Sequence, residues 1–198
     1  VIYSYSPKLA TEEGWLTPLV YKITKLPGQR RMNYLKEYKQ NYEGNPILLS
    51  AIKDIVAQVK LDEPVLILVE RKEKMGAILH QYLADYGIES TWISGDDSKE
   101  AINAAIEDFN VGRIKVLIGS TVIGVGVDIR ATSHLIWARG GKSEVNLVQG
   151  IGRAARLFPG KSVAKIWDFS FESTRYLNKH LKERLSVFQQ YFNGEVAI

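Results

Sequence analysis

Pro64-Val-Leu-Ile-Leu-Val-Glu70 constrains this chain more than any other stretch. A continuous apolar run of strand length, without polar alternation, fits a central parallel strand covered on both faces. Further strand-like runs occur at Ser90 to Ile93, Ile114-Lys-Val-Leu-Ile118, His134-Leu-Ile-Trp-Ala138 and Val163-Ala-Lys-Ile-Trp-Asp168. Between them lie segments of helical periodicity. Pro46 to Val59 starts at a proline-compatible first turn, Arg71 to Tyr86 stops at Gly87, and Ser98 to Phe109 opens on Asp97 and Glu100 in a capping-box-like pattern. Strands alternating with helices imply right-handed crossovers and an α/β fold, a parallel sheet flanked by helices on both faces. Ligands of such sheets bind beyond the carboxyl ends of the strands, where Arg71, Ser94, Thr121 and Asp128 are expected together.

Two segments carry the chemistry. Leu117-Ile-Gly-Ser-Thr-Val-Ile-Gly-Val-Gly-Val-Asp128 runs from a buried strand through a small-residue turn to one acid. Gln149-Gly-Ile-Gly-Arg-Ala-Ala-Arg156 has helical periodicity, with Ser143 able to cap the helix. Gln149, Arg153 and Arg156 are expected on one side, away from Leu147, Ile151, Ala154 and Ala155. Aligning two guanidiniums costs side-chain entropy and charge repulsion, so their pairing points to a polyanion opposite, such as a nucleoside triphosphate.

These residues resemble the second RecA-like domain of superfamily 2 helicases and translocases. Gly119 to Ile129 is similar to their motif V, and Gln149 to Arg156 matches motif VI, Q-x-x-G-R-x-x-R, at every fixed position. Pro64 to Arg71 resembles motif IV, and Ile93-Ser-Gly-Asp-Asp97 the next nucleic-acid-contacting turn. The resemblance spans about residues 46 to 192 and leans toward phage and bacterial DNA branch-migration and repair helicases. It implies a RecA-like fold, ATP as substrate with Mg2+, and DNA as partner, with RNA possible. Arg156 would act as arginine finger, Arg153 would touch the γ-phosphate, and Gln149 would orient the phosphate or attacking water. Asp128, with Gly126 allowing close approach, would meet the ribose. Thr121, Arg71, Ser94 and Gly95 would hold the nucleic-acid backbone. Two departures stand out: Arg130 follows Ile129 where many relatives have proline, and motif VI opens with Gln149 where the RNA-type DEAD-box branch has histidine.

No D-E-A-D or D-E-x-H pair is present, so the chain carries no complete ATP site by itself. An N-terminal RecA-like domain in cis is expected to supply the Walker lysine and the Mg2+ carboxylates. Gly141-Lys-Ser143 and Gly160-Lys-Ser162 are not Walker A loops, because Ile136 and Ala155 stand where the first glycine belongs. Gly150 and Gly152 lie in a helix-period segment rather than after a strand, which rules out a dinucleotide fingerprint. Asp96-Asp97 suits a cap better than a catalytic dyad.

The 198 residues suit one domain with a short arm. Residues 1–45, broken by Pro7, Gly14, Pro18, Pro27, Gly28 and Gly44, are expected to be a linker or entry arm, and 46–198 the domain. Leu19 to Thr24 alternates as a weak strand, and the stripe Tyr34, Tyr38, Tyr42 is expected to pack the arm down rather than stack on bases. The tail Ser173 to Phe192 is expected to be a helix, packed through Tyr176, His180, Leu181, Leu185, Phe188 and Phe192. Its Lys179, Lys182 and Arg184 form a solvated face in this reading. The chain has no cysteine, its histidines are scattered, and no apolar run reaches the ~20 residues of a membrane span. No metal site within the chain, no membrane and a cytoplasmic location are expected. The start at Val1 suggests a piece of a longer motor. The rival readings are a RecA-like binding module without catalysis and the motor part of a restriction or remodelling complex. The net charge of +4 supports contact with polyanions only weakly.

Overall fold

The computed structural model describes residues 7–70, 74–120 and 128–197. Seven strands, β1 (Leu19–Leu26), β2 (Val65–Val69), β3 (Thr91–Ile93), β4 (Val116–Gly119), β5 (His134–Ala138), β6 (Ala164–Phe171) and β7 (Glu195–Ala197), form one parallel sheet. Their order is β3-β4-β2-β5-β6-β1-β7. The helices are α1 (Pro7–Glu12), α2 (Tyr34–Asn41), α3 (Pro46–Gln58), α4 (Met75–Asp85), α5 (Lys99–Asn110), α6 (Glu144–Ala154) and α7 (Tyr176–Tyr191).

The apolar run of β2 works as its composition implies. Leu66 and Leu68 enter one core with Leu117, Leu135, Trp137, Phe109 of α5 and Ile151 of α6. Val65, Ile67 and Val69 enter the other with Ile118, Ile136, Ile52 of α3 and Leu79 of α4. Alternate residues feed opposite faces, so every position must be apolar. The helices cover both faces, as expected for a RecA-like sheet.

Three local expectations change. Residues 19–26, read as part of an entry arm, form a strand between β6 and β7 inside the sheet. The Tyr stripe packs as expected: Tyr38 and Tyr42 are buried, stack at 4.9 Å, and Tyr42 meets Phe171 at 5.0 Å. α5 is capped by Ser98, whose hydroxyl accepts from the Ala101 amide at 3.1 Å, rather than by Asp97. Asp97 instead accepts from the Ser94 amide at 2.6 Å.

Arg184 is the third change, because it is buried rather than solvated. Its Nε and Nη2 donate to Asp168 at 2.7 and 2.9 Å, and Nη1 donates to the Gly141 carbonyl at 2.7 Å. The Tyr21 hydroxyl donates to the same carboxylate. Burial alone would depress the guanidinium, but Asp168 lifts it above the ordinary arginine range; burial raises the Tyr21 phenol, and Asp168 raises it further. This cluster ties α7, β6, β1 and the loop entering α6 together. Asp168→Ala would leave a buried, uncompensated guanidinium and is expected to cost about 3–5 kcal/mol in urea unfolding. Adding Arg184→Leu should recover most of that loss; a double variant as weak as the single one would contradict the assignment.

Candidate nucleotide and nucleic-acid sites

The parallel topology separates the expected site residues onto two edges. Helices α5 and α6 run back against the strands, so their C-terminal ends lie beside the amino ends of the strands. Asn110, the last residue of α5, donates to the Asp128 carbonyl at 2.8 Å and accepts from the Arg130 amide at 2.9 Å. Asp128 therefore sits on the amino edge, not the carboxyl edge where it was expected with Ser94. The reason is that the chain has already returned across the sheet before β5 starts at His134. Arg71, Thr121 and Gly126 lie outside the described residues.

On the amino edge, Asp128 and the end of α6 meet. Arg156, just past the helix and half-exposed, pairs with Asp128, which also accepts from Arg130 Nε at 2.6 Å. Arg153 is buried rather than turned outward; burial lowers its guanidinium, Arg156 lowers it further, and Asp128 opposes both. Gln149, one turn earlier, is exposed. The expected outward stripe is thus split in depth, because α6 lies close to the sheet: a Cβ at Gly150 would meet the Trp137 ring at 2.8 Å. That close approach explains the glycine. The arrangement presents one reachable guanidinium and one carboxylate, with a second, desolvated guanidinium in their electrostatic neighbourhood, a set suited to an anionic group with a hydroxyl-bearing neighbour.

Lys161 holds this edge together, and sequence reasoning missed it. Its ammonium donates to the carbonyls of Arg130, Thr132 and Ala154 at 3.1, 3.2 and 3.0 Å. It thereby joins the segment carrying Asp128 to the end of the helix carrying Arg153. The Thr17 amide and hydroxyl add donations to the Ala155 and Arg156 carbonyls at 2.7 and 3.0 Å. The only signal in the sequence was an ordinary Gly-Lys-Ser turn.

On the carboxyl edge, the turn after β3 presents Ser94 and Gly95. The Ser94 hydroxyl accepts from the Asp96 amide at 3.2 Å, which leaves its proton available to donate outward. Among the described residues, no group of three or more His, Asp or Glu side chains could hold a metal ion. No helix among them is long and apolar enough to cross a membrane.

Sheet order, helix placement and the paired edges define a RecA-like α/β domain of the superfamily 2 helicase type. Residues 47–158, more than half the chain, match the family "Helicase conserved C-terminal domain", and the chain belongs to it. It is 24% identical over 170 residues to a viral protein named as helicase 22 in Sulfolobus islandicus filamentous virus (isolate Iceland/Hveragerdi), covering 84% of this chain and 30% of that protein. It is 34% identical over 118 residues to UvrABC system protein B of Burkholderia mallei (strain ATCC 23344), covering 57% of this chain and 17% of that one. The chain therefore spans less than a third of these relatives. The structure of the C-terminal domain of the DEAD-box protein Dbp5 shares the fold with a TM-score of 0.63 at 19% identity, over 91% of this chain and 88% of that chain.

Burial, then the charge of Arg156, lowers the Lys161 ammonium from a lysine's ordinary 10.5 to about 8. Between those values the unfolded chain binds the proton more firmly than the folded one, so this group's contribution to stability rises with pH. Lys161→Met strands three carbonyls and is expected to lose about 1–3 kcal/mol at neutral pH. Urea unfolding from pH 7 to 10 should show the gap between parent and variant widening; parallel curves would remove the assignment.

Proposed function

We propose that this chain is the second motor domain of an ATP-dependent DNA helicase or translocase, working against an N-terminal RecA-like domain in the same polypeptide. The observation that carries this reading is the amino edge, where Arg156 stands half-exposed beside Asp128, with buried Arg153 near enough to feel both charges. In this reading a triphosphate held by the partner domain enters the cleft between the two. ATP brings the phosphoanhydride bond, and the partner domain brings the Walker lysine and the carboxylates for Mg2+. Arg156 leaves Asp128 and meets the charge that develops on the transferring phosphoryl group, which makes it the arginine finger. Arg153 contacts the γ-phosphate, Gln149 orients that phosphate or the attacking water, and Asp128, with Gly126, receives the ribose hydroxyls.

The exchange is favourable by magnitude. A surface ion pair such as Asp128–Arg156 is worth about 0–1 kcal/mol, whereas an arginine finger contributes about 10³–10⁵ in rate, roughly 4–7 kcal/mol of barrier. The carboxyl edge holds the track. Ser94 and Gly95, with Arg71 and Thr121, grip the phosphate backbone, and such contacts position without reading sequence. The DNA reading rests on Gln149 at the head of motif VI, where the RNA-type DEAD-box branch has histidine, while the DEAD-box likeness is one of fold.

Arg156→Ala, made in the full polypeptide, is expected to lower DNA-stimulated ATP turnover by about 10³-fold or more. Its unfolding midpoint and DNA affinity without nucleotide should stay at the parent values. Turnover at the parent level would remove the finger role.

A further inference from the structure

On the same edge of the sheet as Ser94, but at its other end, the loop after β1 and the turn before α7 bring Arg30, Arg31 and Arg175 around one open hollow of about 460 Å³, with Met32 and Tyr176. We infer that this is a second phosphate-backbone site, which takes the nucleic acid beyond the strand held at Ser94 and Gly95. The inference rests on the helicase reading above for its ligand.

The site is built rather than incidental. Gly28 allows the β1 loop to lie directly on the β6 turn, since a Cβ there would meet the Glu172 carbonyl oxygen at 2.6 Å and Phe171 Cβ at 2.7 Å. Glu37 is fully buried beneath it, and its carboxylate accepts from the backbone amides of Arg31, Arg175, Tyr176 and Leu177 at 3.3, 3.3, 2.7 and 2.9 Å. One acid thus draws two arginine-bearing segments together and is itself consumed by backbone amides. The Tyr176 hydroxyl donates to the Met32 carbonyl at 3.1 Å and closes the rim.

The guanidiniums are oriented but not neutralised. Arg31 donates to the side-chain oxygens of Gln29 and Gln40 at 2.6 and 2.9 Å, both neutral acceptors. Arg175 lies over the Tyr176 ring at 5.5 Å. Among the described residues, no carboxylate lies within ion-pair distance of Arg30, Arg31 or Arg175. Lys36 and Lys39 line an adjoining hollow with Arg31 and Glu43, and Lys179 and Lys182 line another with Arg175; all four lysines are exposed. Glu37 is engaged by backbone amides, so the guanidiniums face solvent without an ion-pair partner, and a phosphate chain would gain by neutralising against them and releasing its counterions.

The spacing suits one continuous ligand. From β3, which carries Ser94, to β1 is five strand steps, about 24 Å at ~4.8 Å each. That is about seven phosphates along a B-form strand at ~3.4 Å rise.

The test uses the full-length protein and a 30-base-pair DNA duplex with a single-stranded tail, with affinity measured from about 50 to 300 mM salt. The triple variant Arg30→Ala, Arg31→Ala, Arg175→Ala keeps every backbone amide that Glu37 binds. It should lower the slope of log affinity against log salt by about 2–3 and weaken binding at least tenfold near 0.1 M salt. The matching triple lysine variant should restore most of both. Parent-like slope and affinity in the alanine variant would overturn the second site while the helicase reading stands. A parent that binds no nucleic acid at all would overturn both. Loss of affinity in the lysine variant equal to that of the alanine variant would show a packing role and also overturn the site.

Discussion

A parallel strand cannot pass the chain to its neighbour without a return path, and that constraint orders everything in this molecule. The central strands β2, β4 and β5 are buried on both faces, so helices such as α5 and α6 return the chain across the sheet with one apolar side against it. The returns place the ends of α5 and α6 beside the starts of β4, β5 and β6. One edge therefore collects the residues at helix ends, and the opposite edge collects the turns that leave the strands. The separation of Asp128 and Arg156 from Ser94 and Gly95 is a consequence of chain direction.

Buried charge then fixes the pieces that the apolar cores leave loosely joined. Lys161 and Glu37 each spend a charged group on backbone groups from segments far apart in the chain, and Arg184 divides its guanidinium between the Asp168 carboxylate and the Gly141 carbonyl. Apolar packing is non-directional and tolerates small slides of a helix on a sheet. A charge satisfied by three or four oriented carbonyls or amides does not, because displacement would leave it desolvated and unpaired. The ends of helices that carry function are the places where these anchors occur. Lys161 holds the end of α6, Arg184 the loop entering it, and Glu37 the start of α7 with the loop that presents Arg31.

The layers, the element types and the helical placement of motif VI were legible in the sequence because each depends on local periodicity. Val65 to Val69 is strand, and Gly150 and Gly152 lie in helix α6, as their patterns imply. Four things were not legible, because each depends on contacts distant in sequence. The weak strand read at residues 19–24 is real, but its place inside the sheet was hidden because its pairing partner β6 lies about 145 residues away. Arg184 looked like a solvated cation because the acid that pairs with it, Asp168, is on a different element. Lys161 looked like a turn residue because its partners are carbonyls, which carry no side-chain signature. Asp128 was assigned to the wrong edge because periodicity does not say how far a returning segment travels.

The pairing of Arg156 with Asp128 also bears on how such a domain avoids idle chemistry. An unpaired guanidinium at a helix end would be drawn to any carboxylate or free phosphate. In the proposed reading Arg156 is held by an acid it must leave, and a triphosphate fixed by a facing domain would out-compete that weak surface pair by charge and placement together. Arg130, on the same carboxylate at 2.6 Å, lowers the cost of departure, because Asp128 keeps one cation after Arg156 has gone. The carboxylate is then neither isolated nor fully occupied, and its remaining lone pairs are available to accept hydroxyl protons from a sugar. In that proposed reading a single acid holds the finger in one state and the ribose in the other.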